Sequence, residues 1–223
     1  MAYRREEFAV GEWYHCYTRS IDRRVVFETE RDYERFLQAL YMCNGMRTIR
    51  RGAIYNPSHS HLLSLSRGTP LVSIGAYCLM PNHFHLLLQE ITDGGISTFM
   101  QKVGTSFSMY FNVSRQRVGN VFIKPFRSKH IDDDMYLQHV MQYIHFNPAE
   151  LFEREWKLGY VRNMLSLEQK LKTYQYSSLP DYEGTKRPEN SILDKDAVSI
   201  FDKRPALRDM LIEAAEYYAD LPL

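Results

Sequence analysis

A chain of 223 residues with 44% apolar content is long enough to bury one core and too balanced in composition to be disordered or fibrous. No stretch approaches the roughly 18 apolar residues of a membrane helix, and the charged start from Met1 to Glu7 leads into no apolar run, so neither a secretory leader nor a membrane anchor is expected. The formal net charge of +1 conceals a segregation: residues 35–131 hold eleven Lys or Arg against two acids, Glu90 and Asp93, a net +9 that leaves −8 for the remainder. A near-neutral total therefore does not exclude a polyanionic partner, because the field near a surface follows local charge.

Cys16, Cys43 and Cys78 are odd in number, far apart and without a CxxC pair, so reduced thiols and a cytoplasmic location are expected rather than a disulfide framework. In chain order, Trp13 to Arg19 mixes aromatic and β-branched residues and reads as a strand. Glu30 to Asn44 places Phe36, Leu37, Leu40 and Tyr41 at helical spacing. A second strand is expected around Thr48 to Tyr55, and a loop over Asn56 to Pro70, which is rich in Ser, His, Gly and Pro. Val72 to Met80 and His83 to Gln89 are apolar runs broken by Pro81-Asn82, as in adjacent antiparallel strands. A helix from about Ser97 to Asn112 would expose Gln101, Lys102, Thr105 and Ser108. Val121 to Ile131 reads as extended and basic, and Asp132-Asp133-Asp134 supplies a cap and an acidic first turn for a helix reaching Asn147. Further helices are expected around Leu167 to Thr173 and, after the turn at Lys203-Arg204-Pro205, from Ala206 to Ala219. Beyond position 131 acids outnumber bases seventeen to eleven. The β-α-β-β-α-β order of the basic window gives an α+β fold, an antiparallel sheet with helices on one face, and leaves the pairing order open.

The run Met80-Pro81-Asn82-His83-Phe84-His85-Leu86-Leu87-Leu88 carries the first chemical signal. Alternate side chains of a strand share a face, so His83 and His85 point one way while Phe84, Leu86 and Leu88 point toward a core. Two neutral imidazoles side by side are half of a divalent metal site; on a solvated face the same pair is ordinary polar surface. The other pair, His59 and His61, follows the turn-forming Asn56-Pro57-Ser58 and is read as loop.

The helix from Asp132 to Asn147 carries the second. Leu137, Val140, Met141 and Ile144 recur at helical spacing and form its buried stripe. At about 100° per residue, Tyr136, Tyr143 and Asn147 cluster roughly 90° from the centre of that stripe, with His139 further round. They sit at the border of core and solvent. Tyr143 and Asn147 are one turn apart and can meet at a shared site. A phenol, with a reference pKa of about 10, is mostly protonated at neutral pH, so its attack on a phosphodiester needs help of the kind a neighbouring divalent ion gives. Boundary tyrosines also serve simply in packing, and Asn before Pro148 is a common helix end. The residues alone leave both readings open.

Taken together, Tyr77-Cys78-Leu79-Met80-Pro81-Asn82-His83-Phe84-His85-Leu86-Leu87-Leu88 and Tyr143-Ile144-His145-Phe146-Asn147-Pro148 closely resemble the signature pair of the HUH-class single-strand tyrosine transposases, nearest to the REP-associated branch. Matches in Trp13 to Phe27, Asp32 to Leu37, Gly119 to Phe122 and Tyr176-Ser177-Ser178 extend the resemblance over residues 10–182. It implies a ferredoxin-like βαββαβ catalytic domain over residues 1–182, a central antiparallel sheet with helices packed on it; the acidic segment 183–223 falls outside the resemblance and is expected to be a helical extension. His83 and His85 match the paired metal ligands, with Phe84 as the hydrophobic residue between them. Tyr143 matches the nucleophile, and Asn147 falls where the family places its third ligand, a Gln in other branches.

The resemblance further implies Mg²⁺ or Mn²⁺, a 5′-phosphotyrosine link with a free 3′-hydroxyl, and no nucleotide cofactor. Its implied partner is single-stranded DNA folded into a hairpin or palindromic repeat, engaged by a monomer or homodimer away from any membrane. Arg115, Arg117, Lys124, Arg127 and Lys129 are the expected contacts to the DNA backbone, Arg127 and Lys129 the closest, and exposed aromatics would stack on unpaired bases. The alternative is a non-cleaving hairpin-binding regulator that keeps the fold. A replication or conjugation initiator usually has a different motif order or a lysine where Asn147 stands, and a structural metal would require a closed set of four ligands that the sequence does not contain. Strand transfer requires Tyr143 to lie within a phosphate's width of a cation held by the two imidazoles.

Overall fold

The structure, a computed structural model, describes residues 7–47, 49–200 and 205–219. Its elements are β1 (Trp13–Arg19), α1 (Glu30–Cys43), the short α2 (His59–Leu62), β2 (Val72–Met80), β3 (His83–Glu90), α3 (Gly95–Ser114) and β4 (Arg127–Ile131). Then follow α4 (Asp134–Phe146), α5 (Ala149–Phe152), α6 (Met164–Lys172), α7 (Leu179–Tyr182), α8 (Lys195–Ile200) and α9 (Leu207–Ala219). The four strands pair antiparallel in the order β2-β3-β1-β4. With a helix after β1 and another after β3, this is the ferredoxin-like arrangement.

Strand alternation divides the protein into two layers of packing. Phe84, Leu86 and Leu88 of β3 face α1 and α3, where Phe36, Leu37, Leu40, Phe99, Val103, Phe107 and Phe111 complete the larger core. The opposite face presents Ala76, Cys78, Met80 and Leu87 to the stripe of α4, Leu137, Val140, Met141 and Ile144. Beyond the end of α4, Phe146, Trp156, Leu167, Leu171 and Leu179 form a third cluster with Leu207, Met210 and Leu211 of α9.

Local chemistry sets the element ends. Glu90, fully buried at the end of β3, accepts hydrogen bonds from the amides of Gly95 and Ile96 (3.0 and 2.7 Å), satisfying two of the donors that a helix N-terminus leaves unpaired. Gly95 is required there because a Cβ would lie 2.3 Å from the Leu71 carbonyl oxygen. At the start of α4 the Asp133 carboxylate accepts from the Tyr136 amide (2.7 Å), as the acidic triplet predicts. The outer edge of β2 is not left open: the Tyr176 carbonyl accepts from Leu79, the Ser178 amide donates to Tyr77, and the Asp194 amide donates to Ile74. Unpaired edge groups of that kind would otherwise template association.

Three expectations change. The strand proposed around Thr48 to Tyr55 is instead a single 3₁₀ turn at Arg51–Ala53, with Thr48 outside the described residues. β1 and β3 are paired on both sides and the β2 edge is covered by other segments, and this stretch pairs with no strand of the sheet. His59 and His61 sit on α2 rather than in a loop, and His59 bridges Gln38 and Glu189 (3.2 and 2.8 Å). Of the basic stretch from Val121, only Arg127–Ile131 is strand: Val121 and Phe122 turn into the core, and Pro125, lacking an N–H, interrupts the ladder. The cysteines are free thiols. Among the described residues no helix is long and apolar enough to cross a membrane, and Lys203 and Arg204 of the expected turn lie outside them.

Asp32 ties the α1 cap to α3. Burial works against its charge, but Arg115, Thr29 and Tyr110 donate to the carboxylate and hold its pKa below the usual value. Because the side chain is 1% exposed, Asp32→Ala should lose about 3 kcal/mol of unfolding free energy, the scale for removing one partner of a buried pair. Urea unfolding measures this, and a loss below about 1 kcal/mol, the level of a surface pair, would contradict the assignment.

Candidate active site

The two histidines of β3 lie under α4. His85 is 5% exposed and His83 is half-buried, so the pair is not polar surface. The register of β1 against β3 sets Tyr17 beside His85 and Arg19 beside His83, and it brings His15 diagonally within reach. Above them, the α4 stripe leaves Tyr143 at the border of the helix, as its angular position predicts. The Tyr143 ring stands perpendicular to His85, with centroids 5.4 Å apart, and 5.7 Å from His15. Asn147, one turn on, turns its amide oxygen to His83 Nε2 at 3.3 Å.

Both imidazoles are held from behind through Nδ1. The His83 Nδ1 lies 2.7 Å from Asn82 Oδ1, while the Asn82 amide nitrogen donates to the Arg23 carbonyl (3.0 Å). The oxygen of Asn82 therefore faces His83, and the hydrogen between them belongs to the ring. The His85 Nδ1 lies 2.9 Å from His15 Nε2. Tyr17 stacks on both partners, its centroid 4.8 Å from His15 and 5.6 Å from His85.

Burial keeps these rings neutral. It lowers the pKa of His15 to about 4, with Lys129 adding to the effect. His85 is pushed well below its ordinary value by burial, then by His15 and His83. For His83 burial again dominates, and outweighs the pull of the Asn147 amide oxygen, which would accept from a protonated Nε2. With His83 neutral and its hydrogen on Nδ1, the bare Nε2 faces the Asn147 oxygen: two acceptors with no hydrogen between them. A cation placed against both would satisfy them, so the residues fit a metal. Among the described residues no cluster of three or more His, Cys, Asp or Glu is arranged to hold one. The fit is to an open set of two imidazoles and an amide.

Two cavities flank the phenol, and Tyr17, His85 and Tyr143 form the wall between them. One, of about 540 Å³, contains His83 and Asn147 and is lined by Arg19, Arg23, Arg127 and Lys157, with Asp22 and Glu150 among them. Lys157 is ion-paired to Glu150. In its floor Asp22 and Arg23 take left-handed backbone (φ 59 and 54), a conformation that costs ordinary residues about 1–2 kcal/mol each. The hydrogen bonds from Ile21 to Val121 and from Val26 to Pro81 hold that turn. The other cavity, of about 570 Å³, is lined by Tyr17, Tyr136, His139, Gln142 and Lys129, and by Glu213 and Ala214 of α9.

The five basic residues picked from sequence do not converge. Arg127 and Lys129 project from β4 into different cavities, and Lys129 lies 4.5 Å from the Tyr136 ring centre. Lys124 is exposed next to Pro125, which lines the basic cavity. Arg115 is committed to Asp32 and Glu28, and Arg117 leans on Phe111 at the end of α3. Sequence reasoning missed His15, Arg19, Arg23 and Lys157. The available signal was the period of β1, which puts His15, Tyr17 and Arg19 on one face; the charge window began after Arg19 and Arg23 and ended before Lys157.

The profile of a family described as "Transposase IS200 like" matches residues 10–147. Among solved structures, one of a REP-associated tyrosine transposase bound to a REP hairpin is similar, with a TM-score of 0.50 and 15% sequence identity over 85% of this chain and 90% of that one. At that identity the likeness speaks for the fold. No curated protein matches.

The neutral imidazoles make stability depend on pH. An unfolded His15 takes up a proton near the ordinary imidazole value of 6.5, whereas the folded ring refuses one until about 4. Stability is therefore complete above about 6.5 and falls as pH drops toward 4, by up to about 3 kcal/mol for this residue alone. Urea unfolding of metal-free protein at about pH 7.5 and about pH 5 should show the loss; equal stability at both would contradict neutral burial.

Proposed function

The chain belongs to the IS200-like transposase family, and from that premise we propose that it is a metal-dependent strand transferase that cuts and rejoins single-stranded DNA beside a hairpin, with Tyr143 as nucleophile. The observation that carries the proposal is the perpendicular approach of the Tyr143 ring to His85, in the cavity that also holds His83 and Asn147. A divalent cation on His83, His85 and Asn147 would supply charge neutralisation at the scissile phosphate. Two imidazole nitrogens and an amide oxygen suit Mn²⁺ better than Mg²⁺, which favours an all-oxygen octahedron.

The chain's own groups would do the rest. The Tyr143 oxygen attacks phosphorus and loses its proton; the 3′-oxygen leaves and takes one up. One phosphodiester becomes one tyrosyl ester on the 5′ side, with a free 3′-hydroxyl on the other fragment. Attack by another 3′-hydroxyl reverses the step, so no nucleotide is consumed. Arg19, Arg23, Arg127 and Lys157 would hold the backbone in the basic cavity. Tyr17 and Tyr136 would take unpaired bases in the aromatic one, so that the strand crosses the wall at Tyr143. The hairpin as partner draws support from the structural relative, which is bound to one. Catalytic residues 83, 85, 143 and 147 all fall within residues 1–182, and the segment from 183 adds Glu213 and Ala214 to the cavity wall.

A labelled single-stranded hairpin incubated with the protein and Mn²⁺ should give an adduct that survives denaturation. Label at the DNA 3′ end should travel with the protein, and label at the 5′ end should be released. Tyr143→Phe should abolish the adduct. Persistence of the adduct in that variant would overturn the choice of nucleophile, and hairpin binding with no adduct would favour a non-cleaving regulator.

A further inference from the structure

We infer that His15 is a positioning residue for the cation site: its Nε2 accepts the hydrogen bond of His85 Nδ1–H and so locks His85 in the tautomer whose Nε2 is bare and able to ligate. This role rests on the proposed cation site, and extends it to a residue on a different strand. The observation is the buried 2.9 Å contact between His15 Nε2 and His85 Nδ1, with His15 8% exposed and His85 5%.

One hydrogen lies between two ring nitrogens, so one ring donates and the other accepts. If His15 donated, His85 Nδ1 would be the acceptor and its hydrogen would sit on Nε2, where it blocks ligation. If His85 donates, Nε2 is free. Ligating histidines almost always donate their other N–H to a group behind them, which fixes tautomer and ring angle together. His83 follows that rule through Asn82, and His15 gives His85 its counterpart.

The surroundings limit the alternatives. Tyr17 lies near-parallel to both rings, at 31° to His15 and 25° to His85, which restrains either from flipping. His15 is fixed to β1 by pairing with β3 on one side and β4 on the other, so the acceptor cannot drift. An imidazole acceptor, unlike a carboxylate, adds no negative charge behind the ligand. The cation would thus keep more of its charge for a phosphate.

The test uses metal-free and Mn²⁺-titrated full-length protein. In the metal-free protein, ¹⁵N–¹H correlation of labelled histidine should show His85 with its hydrogen on Nδ1, and His15→Leu should shift it toward the other tautomer. Mn²⁺ binding followed by titration calorimetry should weaken about 10–100-fold in His15→Leu, the usual effect of losing such a partner. His15→Gln, whose amide oxygen can accept, should recover most of that affinity; circular dichroism checks that both variants fold. Wild-type affinity in His15→Leu, or a hydrogen on His85 Nε2 in the wild type, would overturn the role. So would the loss of a third nitrogen from the Mn²⁺ spin-echo spectrum of His15→Leu, which would make His15 a ligand itself. No Mn²⁺ binding by the wild type would fell the cation site and this role with it, and the tautomer measurement, made without metal, distinguishes that failure from one confined to His15.

Discussion

The docking of α4 across β2 and β3 is the contact on which the site depends. Burial of Leu137, Val140, Met141 and Ile144 against Ala76, Cys78, Met80 and Leu87 contributes roughly 1.5–3 kcal/mol for each large side chain. The ring contacts of Tyr143 with His85 and His15 are worth about 0.5–1.5 kcal/mol apiece. The stripe, not the aromatic contacts, therefore decides where the helix sits. Once it sits there, the helical period brings Tyr143 and Asn147 over the two imidazoles with no further choice. The Glu90 cap and the Asp133 cap act on the same geometry from a distance, by fixing where the flanking helices begin.

A second constraint is electrical. Three imidazoles share a small, mostly buried volume, which is tolerable only while they are neutral, and burial keeps them so. Cations stand close by without entering: Arg19 and Lys157 depress the histidines and line the basic cavity. The arrangement suits a dianionic or phosphodiester ligand, with basic groups to hold it and neutral donors to share a metal. Arg115 shows the contrast. It lies in the same basic stretch of sequence, yet its charge is spent on Asp32 inside the fold.

Much of this was legible in the chain. The His83–Phe84–His85 alternation, the α4 stripe and the place of Tyr143 and Asn147 beside it follow from the two periods of secondary structure and need no tertiary information. The β1 and β3 strands were readable for the same reason. What was not legible was built by pairing. Sequence order cannot say that β1 lies between β3 and β4, so it could not say that His15 meets His85 or that Arg19 and Arg23 join Arg127. The Thr48 to Tyr55 segment had strand-like residues but pairs with no strand, and pairing is known only once the sheet is assembled. The basic window failed in the same way: charge counted along the chain grouped Arg115 with Arg127, and the fold put them on different elements with different partners.

The central claim is spatial, and paramagnetic broadening tests it most directly. Protein labelled with 3-fluorotyrosine, with the Tyr143 signal assigned by its loss in Tyr143→Phe, would be titrated with substoichiometric Mn²⁺ and followed by ¹⁹F NMR. The Tyr143 resonance should vanish together with that of Tyr17, which also lies against His85, ahead of Tyr33 and Tyr110 on the opposite face of the sheet, and His83→Ala should abolish the effect. A Tyr143 signal that stays sharp while Mn²⁺ is bound at His83 and His85 would contradict it.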